Sequence, residues 1–121
     1  MNRTARHELA ERTFASRHVR PPARWIRAST TSPFDLLILR PEGDRLRTTF
    51  VEVKTARGRR SSDLSAAEVE FGRFVETHGS PYVIARYRVV GDTVTGEALY
   101  RPLATSETWP SDVELQFEVS K

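Results

Sequence analysis

The most informative segment of the sequence is Phe50-Val51-Glu52-Val53-Lys54-Thr55. It is rich in β-branched residues, which are typical of strands, and successive side chains of a strand point to opposite faces. Val51 and Val53 are therefore expected to point into a core, while Glu52 and Lys54 share the other face. We predict a strand over residues 48–55 that carries a carboxylate and an ammonium group side by side.

The preceding segment supplies a partner for this strand. Residues 34–39 form an apolar run interrupted only by Asp35, which predicts a strand buried on both faces. Residues 41–44, Pro-Glu-Gly-Asp, have the composition of a turn, so the two strands form a hairpin. An unpaired carboxylate in such a run costs several kcal/mol, on the order of the burial penalty. Asp35 is therefore either a functional group or a strand-start carboxylate that accepts backbone amides.

The remaining elements surround this hairpin. Helical spacing of apolar residues predicts two helices, and alternation predicts four further strands. The chain order is α-β-β-β-α-β followed by two extra C-terminal strands, which indicates one α/β domain over residues 1–121 with a mixed sheet flanked by helices. The helices are expected at residues 5–18 and 65–78, and the strands at residues 25–27, 82–90, 97–103 and 113–119.

Composition excludes several classes of protein. Cysteine is absent, which removes disulfides, thiolate metal sites and cysteine nucleophiles. No apolar run approaches the ~20 residues of a membrane span, and the first residues lack the apolar stretch of a signal peptide. We therefore expect a soluble, cytoplasmic protein with no membrane partner.

Charge is divided unequally along the chain. Residues 1–60 carry a net charge of +8 and residues 61–121 a net charge of −5. A basic half suggests an anionic partner, nucleic acid first, although a general preference for arginine (17 Arg against 2 Lys) is an equal alternative. The basic residues expected to hold phosphates are Arg24, Arg27, Arg57, Arg59 and Arg60.

The acidic residues of the hairpin have the chemistry of a metal site. Two carboxylates on adjacent strands, Asp35 and Glu52, can share a hard cation such as Mg²⁺ or Mn²⁺, and the backbone carbonyl of Val53 can add an oxygen ligand. Lys54, the only lysine besides the terminal Lys121, can stabilise a metal-bound hydroxide or the charge that develops on phosphate. The alternative is an exposed Glu52–Lys54 ion pair with no function, worth ~0–1 kcal/mol.

These residues resemble the signature of the PD-(D/E)XK nuclease superfamily, in which an Asp on one strand precedes Glu-X-Lys on the next. A closer resemblance, covering residues 30–90, is to the NO VEIN C-terminal domain family, through Phe34-Asp35-Leu36, residues 51–55 and Leu64-Ser65-Ala66-Ala67-Glu68. The resemblance implies a restriction-endonuclease-like αβββαβ core and a Mg²⁺- or Mn²⁺-dependent nuclease. Its catalytic residues would be Asp35, Glu52, Lys54 and Glu68.

Two further carboxylates have alternative interpretations. Ser65 and Glu68 have the spacing of a capping box, which accounts for Glu68 without any catalytic role. Nucleases of this superfamily often add a carboxylate from the first helix to the metal site, and Glu11 is the candidate, with Glu8 as the alternative. The three histidines, His7 among them, are expected to be surface or cap residues rather than ligands.

The expected activity is hydrolysis of phosphodiester bonds, DNA before RNA, in a defence, repair or mobile-element context. The alternative is a nuclease-fold module that no longer cleaves and that binds nucleic acid or a partner protein. The acidic and apolar strand predicted at residues 113–119 could also pair with itself in a homodimer, or with the rest of a larger complex to which this chain is an accessory subunit.

Overall fold

Two helices and five strands make up the computed structural model, which describes residues 2–56 and 64–104. In chain order they are α1 (Arg3–His18), β1 (Arg24–Arg27), β2 (Leu36–Glu42), β3 (Arg45–Ala56), α2 (Ala66–Thr77), β4 (Tyr82–Val90) and β5 (Thr93–Tyr100). No helix within these residues is long and apolar enough to cross a membrane.

The strands form one mixed sheet in the order β1-β2-β3-β4-β5. Neighbours are antiparallel except β3 and β4, which run parallel and are joined through α2. A parallel pair needs such a crossover, whereas the β2–β3 hairpin closes on two residues, Gly43 and Asp44. Gly43 has a φ of +62°, a conformation that glycine adopts without the Cβ strain of other residues.

The hydrophobic core lies on both faces of the sheet. On one face, Ala10 and Phe14 of α1 pack with Val51 and Val53 of β3. On the other face, Val75 of α2 packs with a second cluster that includes Phe50, Phe71, Tyr82 and Ile84. The alternation of Phe50, Val51 and Val53 between these clusters places Glu52 and Lys54 on the α2 face, as the strand period requires.

The α/β class, the mixed sheet flanked by helices and the order of the first six elements are as predicted. The strand predicted at residues 34–39 was expected to be buried on both faces, and this is wrong. Leu36 and Ile38 are buried, but Leu37 and Leu39 are only half-buried. Helix α2 packs against β4, so it does not fully cover the face of β2 on which Leu37 and Leu39 lie.

The first extra C-terminal strand begins earlier than predicted. It covers Thr93–Tyr100 rather than residues 97–103, because a two-residue turn at Gly91 and Asp92 leads directly from β4 into β5. It ends before Pro102, which cannot donate to a sheet ladder. The second extra strand, predicted at residues 113–119, lies outside the described residues.

Candidate active site

Asp35 lies immediately before β2, beside the end of β3 that extends past β2 and pairs only with β4. Its Oδ2 accepts a hydrogen bond of 2.7 Å from the backbone N–H of Val53. Its own N–H donates to the carbonyl of Val51 at 2.8 Å, and its carbonyl accepts from the N–H of Ala28 at 2.8 Å. The side chain is thus held against β3 by backbone hydrogen bonds, as the strand-start interpretation of Asp35 predicted.

The second oxygen of Asp35 takes part in a cluster of charged groups. Burial works to raise the pKa of Asp35, but hydrogen bonds with His7 and with the Val53 N–H outweigh it, and the pKa lies below its ordinary value. Asp35 therefore stays ionised at neutral pH, with one oxygen bonded to the β3 backbone and the other facing charged side chains.

Glu52 is buried, with 7% of its surface exposed. Its carboxyl group is hydrogen-bonded to the side chains of both Glu68 and Asp35. Burial, followed by the hydrogen bond with Glu68 and the charge of Asp35, raises the pKa of Glu52 to about 9. Glu52 therefore carries a proton at neutral pH in the metal-free protein.

Lys54 connects the acidic groups on the α2 face. Its Nζ lies 3.0 Å from Glu52 Oε2 and 3.3 Å from Glu68 Oε1. Burial works to lower the pKa of Lys54, but its contacts with these two carboxyl groups outweigh it, so the pKa lies above its ordinary value. Lys54 is therefore a fixed ammonium ion at the centre of the cluster, not a solvated charge on an exposed strand.

Glu68 forms the predicted capping box and also reaches the charged cluster, while its catalytic role stays a prediction. The capping box is present: Glu68 Oε1 accepts from the Ser65 N–H at 2.8 Å, and the Glu68 N–H donates to Ser65 Oγ at 3.1 Å. The same carboxylate contacts Lys54 and Glu52. Capping thus fixes the start of α2 so that Glu68 faces β3.

Helix α1 brings a second set of groups to Asp35 from the opposite face of the sheet. His7 Nε2 lies 3.4 Å from Asp35 Oδ1 and 3.2 Å from Glu11 Oε2. Hydrogen bonds with Asp35 and Glu11 raise the pKa of His7 to about 10, so it is an imidazolium between two carboxylates. Glu11 is buried and also accepts from Arg27 Nε at 2.6 Å.

His7 was expected to be a surface or cap residue rather than a ligand; its side chain is partly exposed, and it also belongs to a group of potential ligands. One ligand atom each of His7, Glu11 and Asp35 lies within 4.8 Å of the others. The sequence held a signal, since His7 and Glu11 are four residues apart and so share a helix face. It did not show that this face meets Asp35. Of the two glutamates considered for α1, Glu11 reaches the cluster, and Glu8 is not a member of it.

Among the described residues, one group of side chains has ligand atoms close enough together to hold a metal ion, and it consists of His7, Glu11 and Asp35. Asp35 also interacts with Glu52, the other carboxyl group that the sequence predicted as a metal ligand. Val53, whose carbonyl was predicted to add a ligand, contacts Asp35 through its backbone N–H. Carboxylate and carbonyl oxygens suit Mg²⁺ and Mn²⁺, and an imidazole favours Mn²⁺ of the two.

Of the five arginines predicted to hold phosphates, the structure describes two, Arg24 and Arg27. Arg24 is exposed on β1, the edge strand. Arg27 pairs with Glu11, so its guanidinium is already engaged in neutralising the acidic cluster. Arg57, Arg59 and Arg60 lie outside the described residues. The two sets of carboxylates and their cations are therefore the best-defined part of the site.

We compared the chain with protein-family models, with curated proteins and with solved structures, and none of them matches it.

Proposed function

We propose that this protein is a metal-dependent phosphodiesterase that hydrolyses nucleic acid, DNA before RNA. The observation that carries the proposal is the convergence of Asp35, Glu52, Lys54 and Glu68 at one end of the β2–β3 hairpin. Their arrangement is compatible with the restriction-endonuclease-like core that the Asp and Glu-X-Lys pattern resembles.

The buried carboxyl of Glu52 supports a functional role. Burial, then the hydrogen bond with Glu68 and the charge of Asp35, raise the pKa of Glu52 to about 9, so Glu52 retains a proton at neutral pH. Such an arrangement destabilises the fold, and natural proteins keep arrangements of this kind at functional sites. A divalent cation would replace that proton and turn mutual repulsion into shared coordination.

In this proposal Asp35 and Glu52 hold Mg²⁺ or Mn²⁺ with the carbonyl of Val53, and Glu11 contributes from α1. The metal, when bound, supplies Lewis-acid stabilisation of the phosphate and lowers the pKa of water. Lys54 orients the attacking water and stabilises the negative charge that develops on the phosphate. Glu68 positions the Lys54 ammonium from the opposite side.

The experiment is a cleavage assay on plasmid, linear and single-stranded DNA and on RNA, with Mg²⁺ or Mn²⁺. We expect Lys54→Ala and Asp35→Asn to lower the rate by about a hundredfold or more. Glu70→Gln, at an exposed position of α2, is the matched control and should cleave as the wild type does. Thermal melts in EDTA show whether each variant is folded. Cleavage by folded Lys54→Ala at the wild-type rate would refute the proposal.

A binding module without catalysis is the second candidate, and one observation favours it. The acidic groups are already paired within the protein: Asp35 with His7, Glu11 with Arg27, and Glu68 with Lys54. Calorimetric titration with Mn²⁺ separates the two candidates. A phosphodiesterase should bind Mn²⁺ in a manner abolished by Asp35→Asn, whereas a module of this kind should show no carboxylate-dependent binding.

A further inference from the structure

A cavity of about 280 Å³ lies on the α2 face of the sheet, directly beside the acidic cluster. Lys54 forms the wall that the cavity shares with the cluster, since it lines the cavity and contacts Glu52 and Glu68. Its other walls include Ile84, Arg86 and Tyr100. Its size is near the lower end of small-molecule sites, which measure about 300–1,000 Å³. It therefore fits one small unit of a ligand and not an extended segment.

The sheet register places the polar and aromatic groups of this cavity. Lys54 of β3 is the partner of Arg86 on β4, so two cationic side chains stand on neighbouring strands. Ile84, two residues before Arg86, is the partner of Tyr100 on β5. The guanidinium carbon of Arg86 lies 5.4 Å from the centre of the Tyr100 ring. A planar cation over an aromatic ring thus forms one side of the cavity.

Arg86 has a donor with no partner in the part of the chain that the structure describes. Its Nε is buried and has no hydrogen-bond partner among the described residues. A buried donor without a partner costs free energy, and this cost is recovered when an acceptor from a ligand binds it. Leu64, Val69 and Ile84 make the rest of the wall apolar. The cavity therefore combines two cationic side chains, Lys54 and Arg86, with a surface suited to a flat, weakly polar group.

We propose that this cavity binds a single unpaired nucleotide of the nucleic-acid strand, next to the phosphodiester bond that is cleaved. The base stacks against the guanidinium of Arg86 and the apolar wall, and its phosphate accepts from Arg86 beside Lys54. Bases stack on arginine planes and aromatic rings in many single-strand complexes. A base that is paired within a duplex cannot enter the cavity, so the substrate would be single-stranded or frayed nucleic acid. This inference rests on the proposed function.

Binding is tested without catalysis. The probe is a fluorescently labelled oligothymidylate, measured by anisotropy in EDTA, beside a labelled duplex of the same length. We expect Arg86→Gln and Tyr100→Leu each to weaken single-strand binding about tenfold, as loss of one stacked base does, with little effect on the duplex. Tyr100→Phe keeps the ring and should retain wild-type binding. Arg88→Gln, at an exposed position two residues along β4, removes the same charge and is the matched control.

The outcomes are distinct. If both cavity variants bind the single strand as Arg88→Gln does while melting normally, the proposal is wrong. It is also wrong if inorganic phosphate displaces the probe as well as thymidine monophosphate does, because the base then contributes nothing. If the protein never cleaves but binding depends on the cavity, the cavity still binds a nucleotide, and the proposed function and the placement beside a cleaved bond are both wrong. If the protein cleaves and the cavity variants have no effect, the proposed function holds and the inference about the cavity is wrong.

Discussion

Replacing Glu52 with glutamine should stabilise the metal-free protein, in contrast to most substitutions of buried residues. Glutamine has nearly the shape of the protonated carboxyl group but never ionises. The pKa of Glu52 is raised from an ordinary value of 4.5 to about 9, with burial as the largest cause and the Glu68 hydrogen bond next. Above pH 4.5 the unfolded chain therefore releases a proton that the folded protein retains.

The sign of the pH dependence follows from this difference. The folded state binds more protons than the unfolded state between the two pKa values, so the Glu52 contribution is fully present below pH 4.5 and is lost as pH rises toward 9. At about 1.36 kcal/mol per pKa unit, the wild type should lose about 4 kcal/mol relative to Glu52→Gln between about pH 5 and pH 8.

The assay is urea denaturation of both proteins in EDTA across that pH range. Since both proteins retain His7 and the other acids, their difference in unfolding free energy isolates Glu52. Glu70→Gln, the exposed control on α2, should follow the wild type at every pH. A constant difference between wild type and Glu52→Gln from pH 5 to pH 8 would refute the reasoning. In Mn²⁺ the stability advantage of Glu52→Gln should shrink, because the wild type has one more carboxylate ligand and gains more stability from the metal.

Two further predictions concern packing away from the site. Arg101→Met should lower the free energy of unfolding by about 3–5 kcal/mol in urea denaturation, because it leaves the buried carboxylate of Glu76, whose side chain is 1% exposed, without its arginine partner. Arg47→Met breaks a more exposed ion pair and should cost less than about 1 kcal/mol. Equal costs for the two variants would contradict this account. Gly72→Ala should lower the free energy of unfolding by about 1–3 kcal/mol, because an added Cβ would lie 2.5 Å from Leu103 Cδ1. Gly96→Ala is the control, since its added Cβ meets only an ordinary contact at 3.6 Å. If Gly72→Ala melts no lower than Gly96→Ala, the packing around Gly72 relaxes freely and the prediction is wrong.

Much of the fold follows from local patterns in the sequence. Residues 82–90 alternate clearly enough that β4 occupies those bounds, and the Ser65–Glu68 spacing marks the start of α2 through its capping box. The bounds of β2 and β5 were less well predicted, because they depend on the hairpin turns and on which face α2 covers. Those are properties of the assembled sheet and not of any short segment.

The candidate site, too, was predicted only in part from local patterns. Strand alternation by itself placed Glu52 and Lys54 on one face, and the apolar run marked Asp35 as unusual. Only the tertiary structure brought Glu68 to Lys54, and only the packing of α1 on the sheet brought His7 and Glu11 to Asp35. It also engaged Arg27 with Glu11, an arginine that the sequence assigned to phosphate.

Local patterns were enough to identify the residues that alternate along strands, the residues that cap helix α2 and the acid that interrupts the apolar run, because these features depend on the backbone geometry of a few consecutive residues. The tertiary structure decided which charges meet and therefore which are protonated. Electrostatic energy depends on distance and burial, and residues as far apart in the chain as His7 and Asp35 acquire both only when the sheet and its helices have packed.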